Sequence, residues 1–109
     1  MTETLYKQVK GKLNITWEDD ETAARINKIV DSAIPDLIHR LGISDADFDF
    51  SADGAENTLF LAYCLYEWNH ALNEFEDNYA NMIARVRARH EVAQYLESEE
   101  SASEQNEIQ

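Results

Sequence analysis

The sequence has few of the residues that interrupt or cross-link a chain. Its 109 residues include one cysteine, one proline and three glycines. Because a single cysteine, Cys64, cannot pair within the chain, an internal disulfide and a cysteine-based zinc site are excluded. With so few turn signals, a sandwich or barrel of many short strands is also excluded, and long helices are favoured.

Long hydrophobic runs are missing as well. No charged leader precedes an apolar stretch at the N-terminus, and no apolar run reaches the roughly 20 residues that a membrane span needs. We therefore expect a cytosolic protein unless another component carries it elsewhere. The length predicts one domain, and an apolar content of 44% is sufficient for a core.

Positive charge is scarce. Nine Lys and Arg residues stand against 22 Asp and Glu residues, which gives a formal net charge of −13. The basic residues concentrate in two short segments, 1–15 and 85–96, which bracket an acidic middle. Because most of this surface would repel phosphates, we do not expect generic binding to DNA or to an anionic membrane. Two roles for the acidic surface stay open: binding to a basic surface of a partner, and repulsion of DNA.

Hydrophobic periodicity predicts an all-α fold, a small bundle of four helices. Leu5, Val9 and Leu13 recur at four-residue spacing and indicate a first helix. The pattern breaks between residues 16 and 20. Apolar residues then follow a 3.6-residue period over residues 23–41, which predicts a long second helix.

Pro35 interrupts this second helix. Because proline removes one backbone donor and crowds the preceding turn, we expect a kink there, or two short helices that meet. The apolar stripe passes Pro35 without a change of phase, which favours the kink. Gly42 is well placed to end the helix.

The third helix is predicted to start near Ala55, with Ser51 or Asp53 as its candidate cap. It is apolar around most of its circumference from Leu59 to Leu72, and a helix of that kind is usually buried centrally or shared with another subunit. A short break near residues 73–76 separates it from the fourth helix. The core residues predicted for the third helix are Leu59, Leu61, Leu65, Trp68 and Leu72.

A fourth helix completes the predicted bundle, and a polar tail follows it. Residues 97–109 are dominated by Ser, Glu, Gln and Asn, and such a segment cannot bury enough apolar surface to order itself. We therefore expect a helical domain over residues 1–96 and a flexible, disordered acidic tail over residues 97–109. The apolar face of the fourth helix is predicted to contain Phe75, Tyr79, Met82, Ile83, Val86, Ala93 and Leu96.

The clearest local motif is a run of alternating aspartates that resembles an EF-hand calcium loop. At the position where that loop turns sharply on a glycine, this chain has Phe50, and a bulky aromatic residue is strained in a left-handed conformation. The alternative is an acidic loop in which Phe48 and Phe50 pack against the helices while the carboxylates stay solvated. The calcium-ligand candidates are Asp45, Asp47, Asp49, Asp53 and Glu56.

The remaining chemistry-bearing residues form no catalytic set. Glu67 and His70 have the spacing of half a di-iron site, which would need a second such pair and two further glutamates. His39 and His90 have no partner at ligand spacing, and Cys64 is expected to be a small core residue. We expect neither enzymatic activity nor a cofactor.

Three arginines of the fourth helix form the remaining cluster. Arg85 and Arg89 share a helix face, and Arg87 points roughly opposite. One interpretation is a solvated face with local ion pairs, such as Arg87 with Glu91. The other is a docking surface for carboxylates of another chain.

Taken together, these segments resemble the head-tail connector family of tailed bacteriophages, also called head-completion or adaptor proteins. The similarity begins with YKQVKGKLNI and the acidic start of WEDDETAARINKIVDSAIPDLIHRLGI, and it continues through LAYCLYEWNHALNEFEDNYANMIARVR. It covers roughly residues 5–90. The similarity rests on the order and spacing of helix and turn signals. The chain departs from the family pattern at Pro35 and in the acidic loop over residues 45–56.

The resemblance implies a structural virion protein without enzymatic activity, made in the host cytoplasm and located at the head-tail junction. Subunits of this family form a ring, usually of twelve copies, beneath the portal protein. The ring extends the DNA channel and offers a platform for the next tail-completion or stopper protein. DNA would pass through the channel without specific binding, because a negative wall avoids attractive phosphate contacts.

A ring needs a head-to-tail contact between two different faces of each subunit. We expect basic residues of one subunit to meet acidic residues of the next, or the basic residues to contact the portal. Trp17 is a packing anchor that could also face a partner. The hypothetical interface contains Lys7, Lys10, Lys12, Trp17, Asp19, Asp20, Glu21, Asp31, Asp36, Arg85, Arg87 and Arg89.

Two other classes of function stay open. An acidic DNA mimic would be a monomer or dimer that binds a basic enzyme directly. A calcium-responsive helical module would change its helicity or melting temperature when calcium is added.

Overall fold

The computed structural model describes the backbone of residues 2–108 and the side chains of residues 3–99. Helices account for 74% of the chain, and the described residues contain no strand, so the all-α prediction is confirmed. Residues 2–108 form five helices where the sequence predicted four. They are α1 (Thr2–Lys12), α2 (Asp20–Arg40), α3 (Ala55–Trp68), α4 (Leu72–Asn78) and α5 (Ala80–Ile108).

The extra helix arises because the predicted fourth helix is divided and the break before it is displaced. His70 adopts a left-handed φ of 57°, and the amide of Ala71 donates to the carbonyl oxygen of Tyr66 at 2.8 Å. The chain therefore turns before Leu72, which begins α4, and not at residues 73–76. A second break follows at Tyr79, the residue between α4 and α5.

Local signals fix both ends of α2. The Asp19 carboxylate accepts a hydrogen bond from the amide of Thr22 at 2.7 Å and so caps the first turn. Gly42, with a φ of 64°, ends the helix as predicted, and its amide donates to the carbonyl oxygen of His39. One helix passes through the exposed Pro35, so the alternative of two short helices is wrong.

The central element is α3, which contacts each of the other four helices. The face that it buries differs from the predicted one: Leu59 is fully buried, whereas Leu61, Leu65, Trp68 and Leu72 are only partly buried. Because this helix is apolar almost all round, its sequence pattern does not define which side meets the core. The buried residues of α3 are Leu59, Phe60, Ala62, Tyr63 and Cys64.

Aromatic packing closes the loop between α2 and α3. Phe50 is fully buried and stacks on Phe60 with 5.1 Å between the ring centroids, while Phe48 meets its edge at 5.0 Å. The side-chain amide of Asn57 donates to the backbone carbonyl oxygen of Phe50 at 2.8 Å and to the side-chain oxygen of Gln8 at 2.9 Å. The loop is therefore held from inside by its aromatic residues.

The contacts that the described side chains of the longest helix, α5, make with the body lie in its first half. Val86 is buried there, and the side-chain amide of Gln94 donates to the carbonyl oxygen of Gly42 at 2.7 Å. Ala93 and Leu96, which the sequence analysis placed on the apolar packing face, are exposed instead. At about 1.5 Å per residue α5 is about 43 Å long, which helps to explain overall dimensions of 62 × 28 × 19 Å.

The backbone of α5 continues as a helix through residues 97–108. The prediction of a disordered tail is therefore not confirmed, and Gln109 lies outside the described residues. The segment contains neither proline nor glycine, and its Glu, Gln and Ala residues have favourable helix propensities. A helix that is already nucleated by α5 can extend through such residues without a packed face.

Candidate interaction surfaces

The basic residues of α1 are partly neutralised by their own chain. The Lys10 ammonium lies 2.7 Å from a carboxylate oxygen of Glu18, and Lys7 lies 3.6 Å from Glu3 one turn away. Lys12 is exposed at the end of α1. Because Glu3 and Glu18 are highly exposed, these pairs stabilise the fold little and can exchange partners at low cost.

Trp17 lies beside the acidic start of α2 and is 53% exposed. Its indole N–H donates to the hydroxyl of Thr22 at 3.3 Å, which fixes one edge of the ring and leaves much of its surface in solvent. The backbone hydrogen bond from Thr22 holds the pKa of Asp19 below its ordinary value. The neighbouring Asp20 and Glu21 are exposed. An oriented, exposed tryptophan flanked by charges is a typical centre of a protein interface.

Asp36, a residue of the predicted interface, is only partly exposed, and its carboxylate is engaged by contacts within its own chain. One carboxylate oxygen accepts from the guanidinium of Arg40 at 3.0 Å, and the other accepts from the hydroxyl of Tyr63. Arg40 also contacts Glu76 at 2.7 Å, so the group joins α2, α3 and α4. Burial and the hydrogen bond to Asp36 raise the pKa of Tyr63. Asp36 is therefore a structural residue, whereas Asp31 of the same helix is exposed.

Replacing Asp36 by alanine should lower the free energy of unfolding by about 1–2 kcal/mol, because hydrogen bonds to a charged, partly exposed group are lost. Asp31→Ala is the matched control, since it introduces the same residue into the same helix at an exposed position and should change stability by less than about 0.5 kcal/mol. Urea unfolding followed by circular dichroism compares the two variants. Equal stabilities would show that the contacts of Asp36 do not support the fold.

The five calcium-ligand candidates do not converge. The carboxylates of Asp45 and Asp49 accept hydrogen bonds from the amides two residues later, both at 2.9 Å. Asp47 and Asp53 are exposed, and Glu56 turns away toward α5. Among the described residues no three His, Cys, Asp or Glu side chains are grouped in a way that could hold a metal ion.

The start of α3 also differs from the prediction for this loop. Gly54 occupies the N-cap position, and neither Ser51 nor Asp53 caps the helix through its side chain. Ser51 instead donates its hydroxyl to Asp49, and this contact lowers the pKa of that carboxyl. The hydrogen bonds of the loop thus organise its own turns and leave α3 to begin on a glycine.

His70 lies beside Arg25 and Trp68 at the end of α3. The guanidinium of Arg25 lies over the ring of Trp68 at 4.0 Å from its centroid and donates to the backbone carbonyl of Trp68. A nitrogen of His70 lies 3.4 Å from the same guanidinium. Cys64 is fully buried, and burial raises the pKa of its thiol to about 12, so it is a core residue and not a nucleophile.

The arginines of α5 lie on two sides of the helix. Arg87 contacts Glu91 at 2.8 Å, which confirms the predicted local ion pair. Arg89 lies 3.3 Å from Glu56 of α3, and His90 meets the same carboxylate at 3.0 Å. Burial tends to raise the pKa of Glu56, but its hydrogen bonds, including the one with His90, and the charge of Arg89 lower it overall. Arg85 lines a shallow groove with Arg89, and no carboxylate of the described side chains pairs with it.

The structure also exposes apolar residues that the sequence analysis did not single out as a surface. Val92 is 57% exposed, Tyr95 62% and Leu96 57%, all within two turns of α5. Their spacing of three and four residues puts them on the helix face of Arg85 and not on the face of the buried Val86. The spacing of these residues can be recognised in the sequence. The sequence does not show which part of α5 packs against the other helices.

Comparison of the chain with protein-family models, with curated proteins and with solved structures finds no match. Within the described part of the chain, no helix combines the length and the apolar character that crossing a bilayer requires.

Proposed function

We propose that this protein is a structural subunit of a head-tail connector, which assembles into a ring beneath a phage portal. Support comes from the resemblance of residues 5–90 to that family and from an all-helical fold with exposed charged and apolar side chains. In this role the protein lies at the head-tail junction of the virion. Its partners are the portal on one side and a tail-completion or stopper protein on the other.

The observation that carries the proposal is the surface around Trp17. A tryptophan that is 53% exposed and held by Thr22 can insert into a neighbouring subunit without losing much conformational freedom. The exposed acidic residues Asp20 and Glu21 lie beside it, and the exposed Lys7 and Lys12 belong to α1. Opposite charges on two elements suit a head-to-tail contact, which closes into a ring after a whole number of copies.

Electrostatics would orient this contact and apolar burial would provide most of its affinity. The charge of −13 per subunit accumulates around a closed ring. A wall of that sign repels the phosphates of DNA in the channel and so favours sliding over binding.

Trp17→Ala should abolish or strongly reduce ring formation, because an interface tryptophan of this kind typically contributes about 2 kcal/mol or more to each contact. Negative-stain images and sedimentation velocity of wild type and variant measure the effect. Tyr95→Ala is the matched control, since it removes an equally exposed aromatic residue outside the α1–α2 surface and should leave rings intact. Unchanged melting temperatures for both variants would show that the fold is preserved.

The same experiment separates the ring from its alternatives. An acidic DNA mimic would give particles no larger than a dimer, and such particles for the wild type would contradict the ring. A calcium-responsive module would show a calcium-dependent melting temperature, for which the separated carboxylates of the loop give no support. Rings that persist in Trp17→Ala would show that other residues form the contact.

A further inference from the structure

One face of α5 is exposed to solvent between residues 85 and 99, and its Arg89 also contacts Glu56 of α3. The opposite face of α5 contacts the body. There Val86 is buried, His90 contacts Glu56, and Gln94 donates to the carbonyl oxygen of Gly42. Residues that alternate at spacings of four and three share one face of a helix. The outer face defined in this way consists of Arg85, Arg89, Val92, Leu96 and Glu99, with Tyr95 at its edge.

The middle of this outer face is apolar and uncovered. Val92, Tyr95 and Leu96 are each more than half exposed, and they lie next to one another on the helix surface. A cluster of large exposed apolar side chains on a helix that leaves the body marks a contact with another chain.

The charges at the two ends of the outer face indicate that the partner is a second copy of this protein. Arg85 lies seven residues before Val92, and Glu99 lies seven residues after it. In an antiparallel pair of identical helices centred on Val92, Arg85 of each copy therefore lies opposite Glu99 of the other. In a parallel pair the same arginines, and the same glutamates, would face each other. The outer face is thus self-complementary in the antiparallel orientation alone.

We propose that two copies of this protein pair through the outer faces of α5, antiparallel, with Val92 on the twofold axis. The overlap over residues 85–99 is about four turns, roughly 21 Å long. Arg85 has no carboxylate partner among the described side chains, so it can pair with the second copy without breaking an existing contact. Arg89 holds Glu56 only at 3.3 Å and extends the positive end of the face.

This pairing does not depend on the ring. It uses α5 alone and leaves Trp17 and α1 uncovered. Free subunits would form dimers through it. An isologous contact of this kind is closed after two copies, unlike a head-to-tail contact.

Val92→Cys provides the most direct test. A residue on a twofold axis meets its own copy, so the new thiols of the full-length protein should form a disulfide under mild oxidation and give a covalent dimer on a non-reducing gel. The native Cys64 is fully buried and does not compete. Ala93→Cys is the matched control, since it is exposed on the next residue but lies off the outer face. Equal cross-linking at positions 92 and 93 would overturn the proposal.

Charge reversal tests the orientation in the Val92→Cys background. Arg85→Glu or Glu99→Arg alone should weaken dimerisation about tenfold, because the symmetric pair contains each altered contact twice. The two changes combined restore opposite charges and should restore cross-linking. Arg87→Glu, on the opposite side of the helix, should have little effect. Failure of the combined variant to recover would overturn the antiparallel arrangement.

Measuring particle size as well as cross-linking tests the pairing of α5 and the formation of rings independently. Rings without cross-linking at Val92 would contradict the pairing and leave the ring intact. Cross-linked dimers without rings would support the pairing and contradict the connector role.

Discussion

Replacing Phe50 by alanine is expected to lower the free energy of unfolding by about 3–5 kcal/mol. The ring is fully buried and stacks on Phe60, and Phe48 closes it from the loop side. Asn57 holds the backbone of Phe50 through a hydrogen bond to its carbonyl oxygen, so the loop cannot easily collapse into the cavity left by the ring. Small domains have a total stability of about 5–15 kcal/mol, so this single change would remove a large part of it.

Urea unfolding at constant temperature, followed by circular dichroism, measures the loss. Phe48→Ala is the matched control: it removes the same ring from the same loop at a half-buried position and should cost only about 1 kcal/mol. Hydrogen exchange should become faster over residues 43–54 in Phe50→Ala. Similar losses for the two variants would contradict the role of Phe50 as the residue that anchors the loop.

The two ends of α2 could be predicted because they depend on local chemistry. Asp19 caps α2 through an amide only three residues away, and Gly42 supplies a left-handed conformation that other residues adopt at a cost. The stripe of α1 was predicted for the same reason: Leu5 and Val9 repeat at helical spacing, and both are fully buried.

The division between α4 and α5 could not be predicted, because no local signal marks it. Tyr79 is neither a glycine nor a proline, and the apolar period passes through it without a change of phase. Its ring stacks on Phe75 at 5.2 Å and meets the edge of Tyr66 at 5.9 Å. The helix breaks at a residue whose ring packs against two other aromatic rings, and the identity of those partners is known only from the fold.

The candidate surfaces divide in the same way. The pair of Arg87 with Glu91 spans one helical turn and was predicted from spacing alone. Asp36 was assigned to an interface because its charge is visible in the sequence. Its partner Tyr63 lies 27 residues away, on another helix, and no spacing rule connects them. Charge at a position can be predicted from sequence, but whether the fold neutralises it cannot.

A comparison of two leucines in α3 tests the corrected core. Leu59→Ala should lower the free energy of unfolding by about 2–5 kcal/mol, because its side chain is fully buried. Leu65→Ala should cost less than about 1.5 kcal/mol, since Leu65 is partly exposed beside Asn69 and Glu74. The two positions are six residues apart and so lie roughly 120° apart around the helix axis. The buried arc of α3 runs from Ala62 through Leu59 to Cys64, and Leu65 lies outside it, although the sequence pattern assigned both leucines to the core.

The two variants control each other, because each replaces leucine by alanine in the same helix and the difference in helix propensity cancels. Urea unfolding monitored by circular dichroism gives both free energies, and the slope with urea concentration should be unchanged, since neither change alters the surface exposed on unfolding by much. A loss for Leu65→Ala as large as that for Leu59→Ala would place Leu65 in contact with a second chain or in the core. Repeating the measurement at several protein concentrations separates these two explanations, because stability gained from association rises with concentration and core stability does not.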